Sequence, residues 1–200
     1  MGNDLTALLS DIRSCTLCAD EMPHDPRPVL QASASARIGI FGQAPGARVH
    51  ASGRPFTDPS GDRLREWMGI EADVFYDETR IAIVPMGFCF PGNDAKGGDL
   101  PPLKQCAQTW RARLMEKLDQ LELILLVGAY AQKWHLDKPD NKPKKTLTQT
   151  VEHWRDYGPK FIPTPHPSWR NNVWLKKNPW FERETLPELK RRVRAALKAG

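Results

Sequence analysis

Residues 121–128 read LELILLVG, the most apolar run in the chain. Three shorter runs of the same kind occur at 37–42 (RIGIFG), 80–87 (RIAIVPMG) and 160–165 (KFIPTP). Short apolar runs that end at glycine or proline are typical of strands buried on both faces. Because helix-like segments separate the four runs, the sequence predicts an α/β fold: a three-layer α/β/α sandwich with a central four-stranded parallel sheet.

The segments between these runs carry helical periodicity or turn residues. Leu5, Leu8, Leu9 and Ile12 recur at helical spacing and predict a helix over 4–14. Further helices are expected at 61–70, 102–121, 129–136, 146–157 and 186–199. Residues 137–145 (DKPDNKPKK) indicate a polar linker interrupted by proline.

Length and charge limit the class of protein. Two hundred residues suit a single domain spanning 1–200, and the net charge of +5 reflects basic residues interleaved with Trp169, Trp174 and Trp180. This pattern favours a polyanionic partner, with nucleic acid first, although the basic run at 190–198 equally suits the solvated face of a terminal helix. No signal peptide or long apolar span is recognisable, so we expect a cytoplasmic, monomeric protein with no membrane partner.

Four cysteines form a spaced set. Cys15 and Cys18 make a C-x-x-C pair, and Cys89 and Cys106 flank a loop rich in glycine and proline. Thiols in a cytoplasmic chain are seldom paired as disulfides, and four thiolates suit zinc or an iron–sulfur cluster. The alternative is four ordinary buried cysteines.

Residues 161–172 read FIPTPHPSWRNN, in which the last predicted strand runs into a loop rich in proline. The prolines exclude residues 164–168 from the interior of a helix or strand and predict a stiff loop that ends the strand and holds His166 in place. The loops GQAPG (42–46) and PMGFCFPGND (85–94) follow other strands. Because the carboxyl ends of parallel strands share one edge, His166 is expected to face both loops across a ligand-binding crevice.

These segments together resemble the uracil-DNA glycosylase superfamily. The resemblance rests on GQAPG, GRPFTDPSGDRL (53–64), the cysteine pattern with CFPGN (89–93), LLVGAYAQK (125–133) and HPS (166–168), in that order. It extends from about residue 5 to residue 168 and is strongest to the iron–sulfur branch of the superfamily, the family 4 type.

The resemblance implies a role for each motif. Gly42, Gln43 and Ala44 would cradle the pyrimidine and position the attacking water, Phe56 would stack on the flipped base, and His166 would donate to its O2 atom. Ser168, Trp169, Arg170 and Asn171 would contact or enter the DNA. His50, which lies close to GQAPG in the sequence, is a further candidate for contact with a DNA phosphate, with a catalytic role as the alternative. Cys15, Cys18, Cys89 and Cys106 would hold a [4Fe-4S] cluster, with zinc as the alternative.

The implied activity is that of a monofunctional DNA glycosylase in base excision repair. It would flip a deaminated base, uracil first, out of single- or double-stranded DNA and hydrolyse its N-glycosidic bond. The alternatives are a glycosylase for another damaged base, such as hypoxanthine or xanthine, or a weakly catalytic module that binds damaged DNA.

Two positions depart from the family pattern. Gln43 replaces an acidic residue, and an amide can orient a water but cannot accept its proton, which makes Asp58 and Asp62 candidates for that step. Pro85 and Met86 occupy the neighbourhood of an asparagine that reads uracil in the family. Asn93, Asn171 and Asn172 are possible replacements for it.

Overall fold

The structure is a computed structural model that describes residues 2–137 and 142–198. Its four strands are β1 (Ile38–Phe41), β2 (Ile81–Ile83), β3 (Leu123–Val127) and β4 (Phe161–Thr164). The helices are α1 (Gly2–Arg13), α2 (Ala47–Ser52), α3 (Pro59–Met68), α4 (Ala72–Phe75), α5 (Lys104–Lys117), α6 (Ala129–His135), α7 (Leu147–Glu152), α8 (Asn172–Lys177) and α9 (Leu186–Lys198). Short 3₁₀ turns occur at Ala19–Glu21, Trp154–Tyr157 and Trp169–Asn171, and a π-helical turn at Phe181–Thr185 precedes α9.

All four strands run parallel in the order β2-β1-β3-β4. The chain leaves β1 toward β2 on one side and later returns to β3 on the other side. The carboxyl end of β1 is therefore the point where the strand order reverses, and ligands bind at such points in open α/β sheets. The predicted α/β sandwich with a four-stranded parallel sheet is confirmed.

Both faces of the sheet are covered, which explains why the strands are apolar throughout. Ile124 and Leu126 of β3 pack into one core with α1, α5 and α6, whereas Leu123 and Leu125 pack into a second core with α3 and α9. Every residue of β1 and β3 is buried.

The predicted helices are present, with some differences in extent. The segment predicted as one helix over 146–157 forms α7 and then a 3₁₀ turn, Trp154–Tyr157. The short helices α2, α4 and α8 were not predicted. Residues 138–141 of the predicted linker lie outside the described part of the chain.

The tryptophan-rich segment before α9 serves mainly to pack that helix. Phe181 is fully buried, and Trp174 and Trp180 pack beside it in the core formed with α9. These aromatic residues therefore join the terminal helix to the sheet. In the described ranges, no helix combines the length and apolarity needed to cross a bilayer.

Candidate active site

A cavity opens at the carboxyl edge of the sheet, where three strands end. Its lining includes the loop after β1, the segment after β2 and the loop after β4, represented by Gly42, Gln43, Ala44, Phe56, Pro85 and His166. The five residues predicted to contact the base, Gly42, Gln43, Ala44, Phe56 and His166, therefore lie around one cavity.

The loop after β1 is held by backbone pairing with the segment after β2. The carbonyl oxygens of Gly42 and Gln43 accept hydrogen bonds from the backbone N–H groups of Met86 and Gly87, both at 2.9 Å. The side-chain amide of Gln43 donates a 3.0 Å hydrogen bond to the carbonyl oxygen of Leu100. Gln43 thus ties the long loop between β2 and α5 to the cavity rim.

Phe56 has an unusual backbone conformation. Its φ is 52°, in the left-handed region that residues other than glycine rarely adopt. The hydroxyl of Tyr76 donates a 3.0 Å hydrogen bond to the Phe56 carbonyl oxygen, and a Cβ on Gly61 would lie 1.9 Å from that oxygen. The left-handed turn, Tyr76 and Gly61 together fix the ring of Phe56 at the cavity, and strain of this kind is common at functional sites.

His166 is held in one tautomer and orientation. Its Nδ1 accepts a 3.2 Å hydrogen bond from the backbone N–H of Ser168, and its carbonyl oxygen accepts a 2.7 Å bond from the side-chain amide of Asn171. Because Nδ1 is an acceptor, the neutral ring carries its proton on Nε2. Burial lowers the pKa of His166, while the carboxylates of Asp58 and Asp99 oppose that shift. Both the bond to Nδ1 and the burial favour a neutral imidazole that bears its proton on Nε2.

The residues predicted to contact DNA are partly engaged within the protein. Trp169 is 70% exposed, and it lines the same outer cleft as His166. Arg170 donates to the Gly97 carbonyl oxygen at 3.1 Å, and its backbone N–H donates to the Ser168 hydroxyl. An outer cleft joins the cavity at this point, and its lining includes Trp169, Arg170 and Arg48.

Two carboxylates line both the cavity and the outer cleft, Asp58 and Asp99. Asp58 caps α3: its Oδ1 accepts from the Gly61 backbone N–H at 3.3 Å and from the Ser60 hydroxyl at 2.5 Å. Asp99 was not among the residues predicted from the sequence, although it lies in the glycine-rich loop between Cys89 and Cys106, whose first residues were expected at the rim. Asp62, the other predicted acid, lines neither space and pairs with Arg65.

No asparagine is among the described residues that line the cavity. Pro85 is at the wall, whereas Met86 points into the core beneath it. Asn93 donates to Asp99 Oδ1 at 3.0 Å, and Asn171 is occupied with His166. At this wall the cavity therefore has Pro85 where the resemblance implies an asparagine.

A buried arginine supports the wall behind Pro85. Arg111 is 1% exposed, and it donates to the carbonyl oxygens of Val84 and Pro85, both at 2.9 Å. It also donates from Nε and Nη2 to Nε2 of His135, at 3.1 and 2.8 Å. Burial lowers the pKa of Arg111, and the nearby Cys106 opposes that shift.

His50 lies apart from the residues predicted to contact the base. Its ring centroid is 4.1 Å from that of His24 and 5.9 Å from that of Phe90, and it lines neither the cavity nor the outer cleft. Burial lowers its pKa. Arg27 donates to the carbonyl oxygen of His50 at 2.6 Å, which anchors the end of α2.

The four cysteines line a second, apolar cavity between α1, α5 and the loop after β2. All four are free thiols. Burial raises the pKa of Cys89 to about 11 and that of Cys106 to about 12, and the neighbouring cysteines contribute to both shifts. Within 2–137 and 142–198, no group of three or more His, Cys, Asp or Glu side chains is arranged to hold a metal ion.

The geometry defines a class of site. A glycine-rich loop, an aromatic ring and a neutral imidazole N–H surround one space, which suits a planar heterocycle with a carbonyl oxygen, and the outer cleft beside it bears two arginines. Residues 30–190 match the family model for the uracil DNA glycosylase superfamily. Because the match covers most of the chain, the protein belongs to this superfamily, whose members are DNA glycosylases acting in DNA repair. DNA is accordingly its substrate.

Proposed function

We propose that the protein is a monofunctional glycosylase that hydrolyses the N-glycosidic bond of uracil in DNA. The observation that carries the proposal is the cavity in which Gln43, Phe56 and His166 meet. A flipped uracil would stack on Phe56, and base stacking on an aromatic side chain is worth about 1–3 kcal/mol. Its O2 atom would accept from Nε2 of His166.

The proposed catalytic device is the aimed imidazole. As the glycosidic bond breaks, negative charge develops on the departing base and positive charge on the sugar. A neutral N–H fixed before the reaction stabilises the anion without reorganising at that moment. In the same proposal, Trp169 fills the space that the flipped base leaves, and Arg48 and Arg170 contact phosphates.

Oligonucleotides with one defined lesion test this proposal. Release of uracil from a single-uracil strand should produce an abasic site that breaks only after alkali. Breakage without alkali would contradict monofunctional hydrolysis. Release confined to hypoxanthine or xanthine would contradict the uracil assignment, and tight binding without release would favour a damage-binding module.

We propose further that Cys15, Cys18, Cys89 and Cys106 hold a [4Fe-4S] cluster with a structural role. Support comes from the shared apolar cavity and from the absence of a disulfide among these cysteines. Tetrahedral zinc, with bonds of about 2.3 Å, draws four sulfurs close together. Four thiolates also suit a [4Fe-4S] cluster, so zinc is the alternative that the purified protein distinguishes.

The purified protein tests the cluster directly. We expect a brown protein that absorbs near 400 nm and contains iron and acid-labile sulfide, and a Cys106→Ser variant that loses both. Stoichiometric zinc in a colourless protein would contradict the cluster.

We also propose that the enzyme acts as a cytoplasmic monomer. One chain supplies every group named above, so a second chain is not required. A dimer mass by light scattering would contradict the monomer.

A further inference from the structure

The proposed reaction needs a group that accepts the proton of the attacking water, and Gln43 is unsuited to it. Its side-chain nitrogen is already used to hold Leu100, and an amide oxygen is a very weak base. Such a group must lie where the base cavity meets the outer cleft, because the sugar joins the base to the DNA backbone there. Among the described residues, the acids that border both spaces are Asp58 and Asp99.

Three hydrogen bonds hold the loop that contains Asp99 beside residues 42–46 (GQAPG), called here the first motif. Gln43 holds the neighbouring residue Leu100, and Leu100 also donates its backbone N–H to Gly92 at 2.9 Å. Asn93 donates to Asp99 Oδ1 at 3.0 Å. The carboxylate is thus oriented by contacts from both sides of the loop.

The other carboxylate oxygen faces the motif backbone. A Cβ on Gly46 would lie 3.4 Å from Asp99 Oδ2, so this oxygen lies beside the backbone of Gly46, and Asp99 is exposed at the rim. By contrast, the Oδ1 of Asp58 accepts two hydrogen bonds from the first turn of α3. Those bonds commit Asp58 to capping the helix.

We propose that Asp99 is the general base of the reaction, an inference that rests on the proposed function. The water oxygen forms a bond to C1′ as the bond from C1′ to the base nitrogen breaks. The bonding pair of electrons leaves with the base, whose O2 atom accepts from His166. The water proton passes to the Asp99 carboxylate and then to the departing base or to solvent, so the products are an abasic sugar and the free base. Gln43 is a positioning residue that holds Asp99 in place through Leu100.

Single-turnover release of uracil at saturating enzyme tests this role. Asp99→Asn should lower the rate about 100-fold or more, which is the usual size of a general-base contribution. Binding to DNA that contains an uncleavable 2′-fluoro deoxyuridine should change by less than about two-fold. Asp62→Asn, which alters an acid outside both spaces, is the matched control and should keep the wild-type rate.

Chemical rescue separates catalysis from loop structure. Asp99→Ala should be as slow as Asp99→Asn, and added formate should restore at least about ten-fold of its rate while leaving the wild type unchanged. Three results would overturn the proposal. They are a fall of less than about three-fold in the release rate of Asp99→Asn, an Asp99→Ala rate that formate does not restore, and a large fall in rate in Asp58→Asn alone. Wild-type release that survives Asp99→Asn contradicts this inference only, whereas a wild type inactive on every lesion contradicts the proposed function as well.

Discussion

The backbone N–H of Ser168 donates to Nδ1 of His166 at 3.2 Å, and this bond determines which nitrogen of the ring can act on a substrate. Nε2 then carries the proton and is the nitrogen available to a base oxygen in the cavity. Ser168 has a φ of −62°, which a proline can adopt. The bond can therefore be removed without changing the backbone angle.

Replacing Ser168 by proline should weaken catalysis through His166. Ser168→Pro removes the N–H that selects the tautomer, and we expect release of the base to fall about ten-fold, with His166→Ala falling about 100-fold or more. Ser168→Ala removes only the hydroxyl and measures the contribution of its bond to the Arg170 backbone. Nitrogen NMR of the imidazole should show a mixture of tautomers in Ser168→Pro. A single Nε2–H form in that variant would contradict the assignment.

The partly buried imidazole of His166 should make folding stability depend on pH. Because burial lowers the pKa of His166, the unfolded chain takes up a proton at higher pH than the folded chain does. As the pH falls below about 6.5, the ordinary histidine value, this difference destabilises the folded state. His166→Gln removes the effect.

Urea unfolding of the wild type and His166→Gln at pH 8 and pH 5 measures this dependence. The free energy of unfolding of the wild type should drop relative to the variant as the pH is lowered. His153→Gln, at an exposed histidine, is the control and should follow the wild type. An equal gap between wild type and His166→Gln at both values would contradict the prediction.

Tyr76 should matter to the base site although its hydroxyl bonds to backbone. Tyr76→Phe removes the 3.0 Å bond to the carbonyl oxygen of Phe56, whose φ is 52°. We expect about 1 kcal/mol less stability and a several-fold lower affinity for DNA with a flipped uracil analogue. Tyr130→Phe, on an exposed tyrosine of α6, supplies the control. Equal affinity of Tyr76→Phe and wild type would show that Phe56 keeps its position without this bond.

Arg111 should be the most sensitive polar residue of the core. Arg111→Met leaves the carbonyl oxygens of Val84 and Pro85 without their donor, and we expect a loss of about 3 kcal/mol or more in the free energy of unfolding. Arg113→Met alters an exposed arginine of the same helix and should cost less than about 1 kcal/mol. Similar losses in the two variants, measured by urea unfolding, would contradict a special role of Arg111.

The strands and the rim loops could be predicted because their signals are local. A buried parallel strand is apolar along its length, and the loop at 164–168 is recognisable from its prolines. Since the strands are parallel, strand order was not needed to place His166, Gln43 and Pro85 at the same edge.

Other features depend on contacts between distant segments. The position of Asp99 beside the first motif depends on the hydrogen bond from Gln43 to Leu100 across the rim. In the sequence Arg111 resembles any other basic residue of a helix, and its role depends on the packing of α5 against the strand end at Val84. The left-handed turn at Phe56 needs the space left by Gly61 and the hydroxyl of Tyr76.

The layers of the fold and the edge of the sheet that bears the cavity thus follow from residue type and spacing, because these encode burial and turns directly. Which side chains near the cavity remain without an internal partner depends instead on how distant segments pack. Each donor and acceptor near the cavity has several possible partners. Because hydrogen bonds form only within a narrow range of distances, differences of a few tenths of an ångström between segments far apart in the chain determine which bond forms.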